Sequence, residues 1–187
     1  MPLRAFVAVD LGEAIAVRCH QAVAAARALA PRARWGSGSA HLTLVFLGGV
    51  DESAAVAIAD AVTTVAARHA PMTFRLQGAG SFGPRARPRV LWLGIDGDTR
   101  PLAALQTDLA SALEAFGAER EVRDYRPHLT LARARDPRGD RGLAAARDAL
   151  ADLDLGEVAA DAVTLFRSDL SPQGARHTAL ARSPLGQ

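Results

Sequence analysis

The sequence predicts an α+β fold of two pseudo-symmetric lobes, each an antiparallel-rich sheet with helices on its outer face, around a central cleft. Three observations predict it. Strand-like and helix-like apolar segments alternate along the 187 residues; the tetrapeptide His-Leu-Thr-Leu occurs twice, at residues 41–44 and 128–131; and the order of elements around the two copies is the same. The copies lie 87 residues apart, close to half the chain. Such a period is far too long for a solenoid and points to a duplicated lobe. The length suits one domain with a continuous core. The lobes are expected at about residues 1–84 and 85–187, with possible strand exchange between them.

The elements follow from local chemistry. Residues 6–9 read as a strand, and the Ala- and Val-rich stretch 13–29 as a helix stopped by Pro31. A polar, Gly-containing turn over 32–40 leads into a strand at 41–47, closed by Gly48 and Gly49. Residues 51–68 form a helix capped by Asp51 or Ser53. A strand at 72–77 precedes a Gly-, Pro- and Arg-dense loop at 78–88, then come a strand at 89–95 and a helix at 99–116. The second motif opens a strand at 128–133, followed by a helix at 141–153 and closing strands at 158–166 and 175–181.

No apolar run approaches the roughly 20 residues of a membrane span, and no secretory signal is evident at the N-terminus, so a cytoplasmic protein is expected. The single cysteine, Cys19, has no partner at zinc-ligand spacing and reads as a bystander thiol. All 22 basic residues are arginine and the net charge is +2. Global charge therefore says little about nucleic acid, and most of the arginines read as compositional. Local clusters can still read phosphate through paired donors. Arg85, Arg87 and Arg89 form one such cluster, and Arg120, Arg123 and Arg126 another just ahead of the second motif; RNA-backbone contacts and a solvated charge run both account for them.

The chemistry concentrates in the repeated tetrapeptides. Alternate strand residues share a face, so His41 and Thr43 point one way while Leu42, Leu44 and Phe46 point the other. The same parity sets His128 and Thr130 against Leu129 and Leu131. Histidine can act as acid or base near neutral pH, so two imidazoles flanking a phosphate supply both proton transfers of phosphodiester cleavage without metal or cofactor. Hydroxyls at i+2 can donate to the non-bridging oxygens, where charge builds.

These residues resemble the 2H phosphoesterase superfamily, and within it the bacterial and archaeal RNA 2′,3′-cyclic phosphodiesterase branch, formerly called 2′-5′ RNA ligase. The resemblance runs over nearly the whole chain, through Phe6-Val7-Ala8-Val9-Asp10, Trp35, both motifs with their flanks, Arg87-Pro88-Arg89-Val90-Leu91-Trp92-Leu93-Gly94 and Leu165-Phe166-Arg167-Ser168. It implies hydrolysis of RNA 2′,3′-cyclic phosphate ends to 2′-phosphomonoesters, with His41 as proton donor and His128 as proton acceptor. The symmetry of the motifs does not itself assign the two roles. Thr43 and Thr130 match phosphate-binding hydroxyls, and Arg133 matches an arginine after the second motif. In a regular strand Arg133 faces away from His128, so its participation requires a bulge or the strand end. Where the family often carries Gly followed shortly by Tyr near the C-terminus, this chain has Gly174-Ala175-Arg176-His177. His177 reads as a solvent-facing strand histidine, with base or ribose contact as the alternative.

His20 and His69 read as surface residues; Trp35, Phe46 and Trp92 can stack on a base, but Phe46 and Trp92 read mostly as core and Trp35 equally as core or base-stacking. No metal site is expected, since neither motif has a second carboxylate, His or Cys at ligand spacing. The expected partner is RNA with a 2′,3′-cyclic phosphate end, or a cyclic nucleotide; a monomer without an obligate protein partner or a membrane is expected. The alternatives are 2′-5′ RNA joining or another cyclic-phosphate esterase, which share the central chemistry, and a non-catalytic RNA- or nucleotide-binding module.

Overall fold

The computed structural model describes residues 3–36, 38–118, 125–171 and 174–186. Its centre is one antiparallel sheet. In chain order the strands are β1 (Leu3–Asp10), β2 (Arg34–Trp35), β3 (His41–Val50), β4 (Met72–Phe82), β5 (Val90–Asp96), β6 (His128–Arg133), β7 (Asp154–Ala160), β8 (Ala162–Ser171) and β9 (Gly174–Pro184). The helices are α1 (Gly12–Ala22), α2 (Ala24–Arg27), α3 (Ala55–Ala66), α4 (Arg100–Leu113) and α5 (Arg141–Ala149). Strand order is β7-β4-β5-β6-β3-β1-β8-β9, with the short β2 beside β6. The two motif strands, β6 and β3, are neighbours at its middle.

The core lies on the helix-covered face. Leu102, Leu105, Leu109 and Leu113 form one stripe of α4 and are each at most 1% exposed, and Ile58, Val62, Val65 and Ala66 of α3 face them. On β1, Ala5, Val7 and Val9 enter this core, while Phe6 and Ala8 join Phe166 of β8 in a small cluster on the opposite face. That opposite face carries the motif histidines.

Several elements differ from the sequence-based expectation. The helix expected at 13–29 breaks at Val23 into α1 and α2, and its end tightens into i→i+3 turns such as Ala28 N–H to the Ala25 carbonyl. The stretch 78–82, expected as loop, continues β4 to Phe82. Its glycines serve the sheet: Gly78 (φ +75°) lies at a register shift, and a Cβ on Gly80 would sit 2.1 Å from the Trp92 ring, so only glycine seats that indole. The strand expected at 158–166 is two strands, β7 and β8, hinged at Asp161, and α5 ends at Ala149 instead of 153. Asp51 caps as expected, its carboxylate accepting from the Ser53 N–H at 2.9 Å.

Candidate active site

Leu42 of β3 pairs with Leu129 of β6 across the sheet centre. Continuing this antiparallel register one residue each way sets His41 opposite Thr130 and Thr43 opposite His128. Directly opposed residues share a face, so the leucines enter the core, 0% and 4% exposed, while both histidines and both threonines project to the other side. His41 and His128 are then diagonal neighbours on one face, a relation within reach of aromatic and long side chains.

Each motif strand bulges at the same position. Ala8 pairs with Thr43 but Val7 with Val45, which leaves Leu44 as the extra residue of β3; Trp92 pairs with Thr130 but Leu91 with Ala132, which leaves Leu131 as the extra residue of β6. A bulge reverses side-chain parity beyond it. Val45 and Ala132 therefore join Leu44 and Leu131 in the core, and the following residues turn to the cleft face. In β3 that residue is Phe46, which is 62% exposed, so the expectation of a core Phe46 is overturned by the bulge. In β6 it is Arg133, and the regular-strand parity that pointed it away from His128 does not hold. The Arg133 guanidinium is near enough to disfavour the charged forms of both His128 and His41.

The two imidazoles sit in different surroundings. His128 Nδ1 lies 2.7 Å from the Arg126 carbonyl; a carbonyl only accepts, so Nδ1 carries the hydrogen and donates it, leaving Nε2 for the cleft. Phe82 meets this ring edge to face with centroids 4.9 Å apart, and Trp92 stands 6.1 Å away. Burial pulls His128 below its ordinary value, opposed by the Arg126 carbonyl. His41 packs 5.1 Å from Phe6 and 6.1 Å from Phe166. Its buried Nδ1 makes no hydrogen bond among the described residues, although the Ser39 carbonyl is close enough to favour protonation. Burial, with His177 and Arg133 adding to it, takes His41 from an ordinary 6.5 down to about 4, against the opposing pull of Ser39 and Asp10.

Sequence reasoning missed several contributors. His177, expected to face solvent, is half-buried: β9 brings it over the cleft, where its ring lies 4.9 Å from that of His41, because β9 pairs with β8, next to β1, and so reaches the His41 side. A cavity of about 300 Å³ opens beside it, lined by Gly38, Ser39, Ser171, Gly174, Ala175 and Arg176. Tyr125, just ahead of β6, donates from its hydroxyl to the Thr43 carbonyl at 3.0 Å and straps the two motif strands together. Burial pushes its phenol up, so it stays a donor at any physiological pH. Trp92, expected in the core, lines the cleft with its Nε1 buried and without a partner among the described residues. The signals for Phe6 and Trp92 were only their places on strands flanking the motifs, and Phe82 lay in the stretch expected as loop.

Other residues settle away from the cleft centre. Trp35 donates from Nε1 to the Ala30 carbonyl at 3.0 Å and packs against the core under the Arg27 guanidinium. His69 is not a surface residue: its side chain is 14% exposed and its Nε2 lies 3.0 Å from the Asp108 carboxylate, because the end of α3 packs on α4. His20 is exposed beside Arg27. Of the arginine clusters, Arg120 and Arg123 lie outside the described residues; Arg126 and Arg85 are exposed, and Arg87 lines a 660 Å³ cavity with Arg32, Arg135 and Arg141. Among the described residues no group of three or more His, Cys, Asp or Glu is placed to hold a metal ion, and no helix is long and apolar enough to cross a membrane.

Comparison with known proteins agrees with this geometry. The family described as the 2′-5′ RNA ligase superfamily matches residues 12–172. The chain belongs to the 2′-5′ RNA ligase superfamily. It is 31% identical to the RNA 2′,3′-cyclic phosphodiesterase of Methanothermobacter thermautotrophicus over 95% of this chain and 96% of that one. It is 30% identical to the Thermotoga maritima protein of the same name over 92% and 90% of the two chains. Among solved structures of this superfamily fold, E. coli LigT complexed with 3′-AMP superposes with a TM-score of 0.75 at 27% identity, covering all of both chains. The protein TT0787 of Thermus thermophilus gives 0.76 at 27% identity over 98% of this chain and 99% of that one. These matches bear out the 2H phosphoesterase resemblance carried by the motifs.

Proposed function

We propose that this chain is an RNA 2′,3′-cyclic phosphodiesterase that opens cyclic phosphate ends to 2′-phosphomonoesters. The observation that carries the reading is the pair of His-x-Thr strands, antiparallel and adjacent, that present two imidazoles and two hydroxyls to one face with Arg133 turned toward them by a bulge. Relatives named for this activity support the choice of substrate.

In the proposed reaction a water attacks phosphorus from the His128 side. Neutral His128 takes the water's proton through Nε2, since Nδ1 is committed to the Arg126 carbonyl. The new P–O bond forms as the bond from phosphorus to the ribose 3′-oxygen breaks, and protonated His41 delivers its proton to that leaving oxygen. A 2′-phosphate and a free 3′-hydroxyl result. Thr43 and Thr130 donate to the non-bridging oxygens, and Arg133 compensates their growing charge. Burial holds His41 neutral at pH 7, so the anionic phosphate must restore its proton on binding, as an opposite charge within a few ångströms does. The scheme uses no metal or cofactor. A monomer acting in the cytoplasm as one bilobal domain belongs to the same proposal.

The test is incubation of the purified protein with a 2′,3′-cyclic mononucleotide in EDTA, with the product followed by phosphorus NMR. Conversion to the 2′-phosphate is expected. A 3′-phosphate product overturns the assignment of the leaving oxygen, and loss of turnover that Mg²⁺ restores overturns the acid/base scheme.

A further inference from the structure

The cleft contains an imidazole that this reaction scheme does not use. The His177 ring meets His41 nearly at right angles, with an interplanar angle of 76° and centroids 4.9 Å apart. Phe6 lies against both, at 5.1 Å from His41 and 4.9 Å from His177, so the two histidines share one aromatic wall. The Ser39 hydroxyl stands 3.4 Å from His177 Nδ1. The other charged groups facing His41 are Asp10, opposite it on β1, and Arg133 on β6, while His128 lies diagonally across. Arg133 brings a guanidinium and Asp10 a carboxylate. His177 is the neighbour in this packed cluster that can be either neutral or charged, and burial lowers it from its ordinary value.

We propose that His177 is a positioning residue for the reaction, forming with His41 a coupled pair of imidazoles that carries at most one proton and so governs when His41 is charged. The consequence for catalysis rests on the reading of His41 as the acid; the pairing itself rests on the ring contact. Two imidazolium ions at this separation in a partly dry pocket repel strongly, so a proton on one ring disfavours a proton on the other. Among the described residues His41 Nδ1 makes no hydrogen bond, whereas His128 Nδ1 is bonded to the Arg126 carbonyl, so His41 competes poorly for a shared proton despite the nearby Ser39 carbonyl. A phosphate in the cleft tips the pair toward a charged His41. The lowering of His41 by His177, second only to burial, is consistent with this arrangement.

Ring-nitrogen NMR titration of the whole chain tests the pair directly, comparing wild type with His177→Phe, which keeps an aromatic ring and cannot take a proton. The His41 midpoint is expected to rise on the order of one pH unit in the variant, with that of His128 unmoved. The alkaline limb of the rate–pH profile on a 2′,3′-cyclic mononucleotide should rise with it. An unmoved or lowered His41 midpoint overturns the proposal. If the Phe variant fails to fold, His177→Gln carries the same comparison. A wild-type chain inactive on cyclic phosphates, with the His41 midpoint still raised by substitution, overturns the phosphodiesterase reading and leaves the pair standing. An active wild type with an unmoved midpoint does the reverse.

Discussion

The strands β3 and β6 run the same device with different loads. Both present His and Thr to the cleft, both bulge at the fourth motif residue, and both turn the sixth residue onto the cleft face. Yet that residue is an exposed Phe46 on β3 and Arg133 on β6. The neighbour directly opposite the histidine is Asp10 for His41 and Gly94 for His128. One ring is anchored through Nδ1 to a carbonyl, while the other lies against Phe6, Phe166 and His177 with Nδ1 unbonded among the described residues. Duplicated backbone geometry thus places two equivalent imidazoles, and the flanking residues divide their duties. In the proposed scheme the anchored His128 accepts a proton, and the confined His41 takes one up when the phosphate binds.

The comparison breaks first at the histidines. His41→Ala and His128→Ala should each lower turnover by about two to four orders of magnitude, the usual contribution of a positioned acid or base. Near-normal kinetics in either folded variant, measured on a cyclic mononucleotide, would remove the proposed roles. Next come the groups proposed to hold phosphate. Thr43→Val and Thr130→Val should each cost roughly 2.7–4 kcal/mol at the transition state if each hydroxyl donates to the developing charge, and equal losses in the two would mark the phosphate as centred between the strands.

Arg133→Met should weaken turnover by about 1.5–3 kcal/mol, the range for hydrogen bonds to charged groups. It should also move both limbs of the rate–pH profile upward, because its charge depresses both histidines. A loss of rate with unmoved limbs would separate phosphate binding from this electrostatic effect.

Stability supplies a third contrast. His41 is depressed from 6.5 to about 4, so the folded state binds its proton less readily than the unfolded chain. The associated stability is complete above pH 6.5 and is lost as pH falls toward 4. A shift of this size corresponds to about 3 kcal/mol. Denaturant titrations of wild type and His41→Phe should therefore diverge in acid dependence over that window, and parallel curves would mean that the ring takes up its proton without penalty.

The smallest effects belong to the strap and the exposed ring. Tyr125→Phe removes the bond to the Thr43 carbonyl and should cost about 1 kcal/mol of stability, read by chemical denaturation. Phe46→Ala removes an exposed side chain and should leave stability within about 0.5 kcal/mol; a raised KM would identify it as a substrate contact.

Strand parity alone placed Leu42, Thr43, Leu129 and Thr130 on their proper faces, because those residues precede the bulges. It failed beyond them. Nothing in Val45-Phe46 or Ala132-Arg133 announces an extra residue, since a bulge is set by pairing with β1 and β5, which are distant in sequence. The loop-like composition of 78–82 concealed a strand because Gly80 answers to Trp92 and Gly78 to a register shift, not to a turn. His177 was misplaced for the same reason at longer range: its proximity to His41 passes through β9, β8 and β1, and no local pattern encodes that chain of pairings.

The strand order also bears on how the molecule is made. β1 pairs with β8, so Ala5 meets Arg167 and Ala8 meets Thr164, while β4 from the first half of the chain joins β5 and β7 from the second. Neither half of the chain can complete its side of the sheet alone. Contacts this distant in sequence pay their loop-closure entropy before they return any stability, which slows folding. On an emerging polypeptide, β1 and β3 would wait for most of the remaining chain before gaining their outer neighbours, and the His41 wall would be among the last surfaces to close.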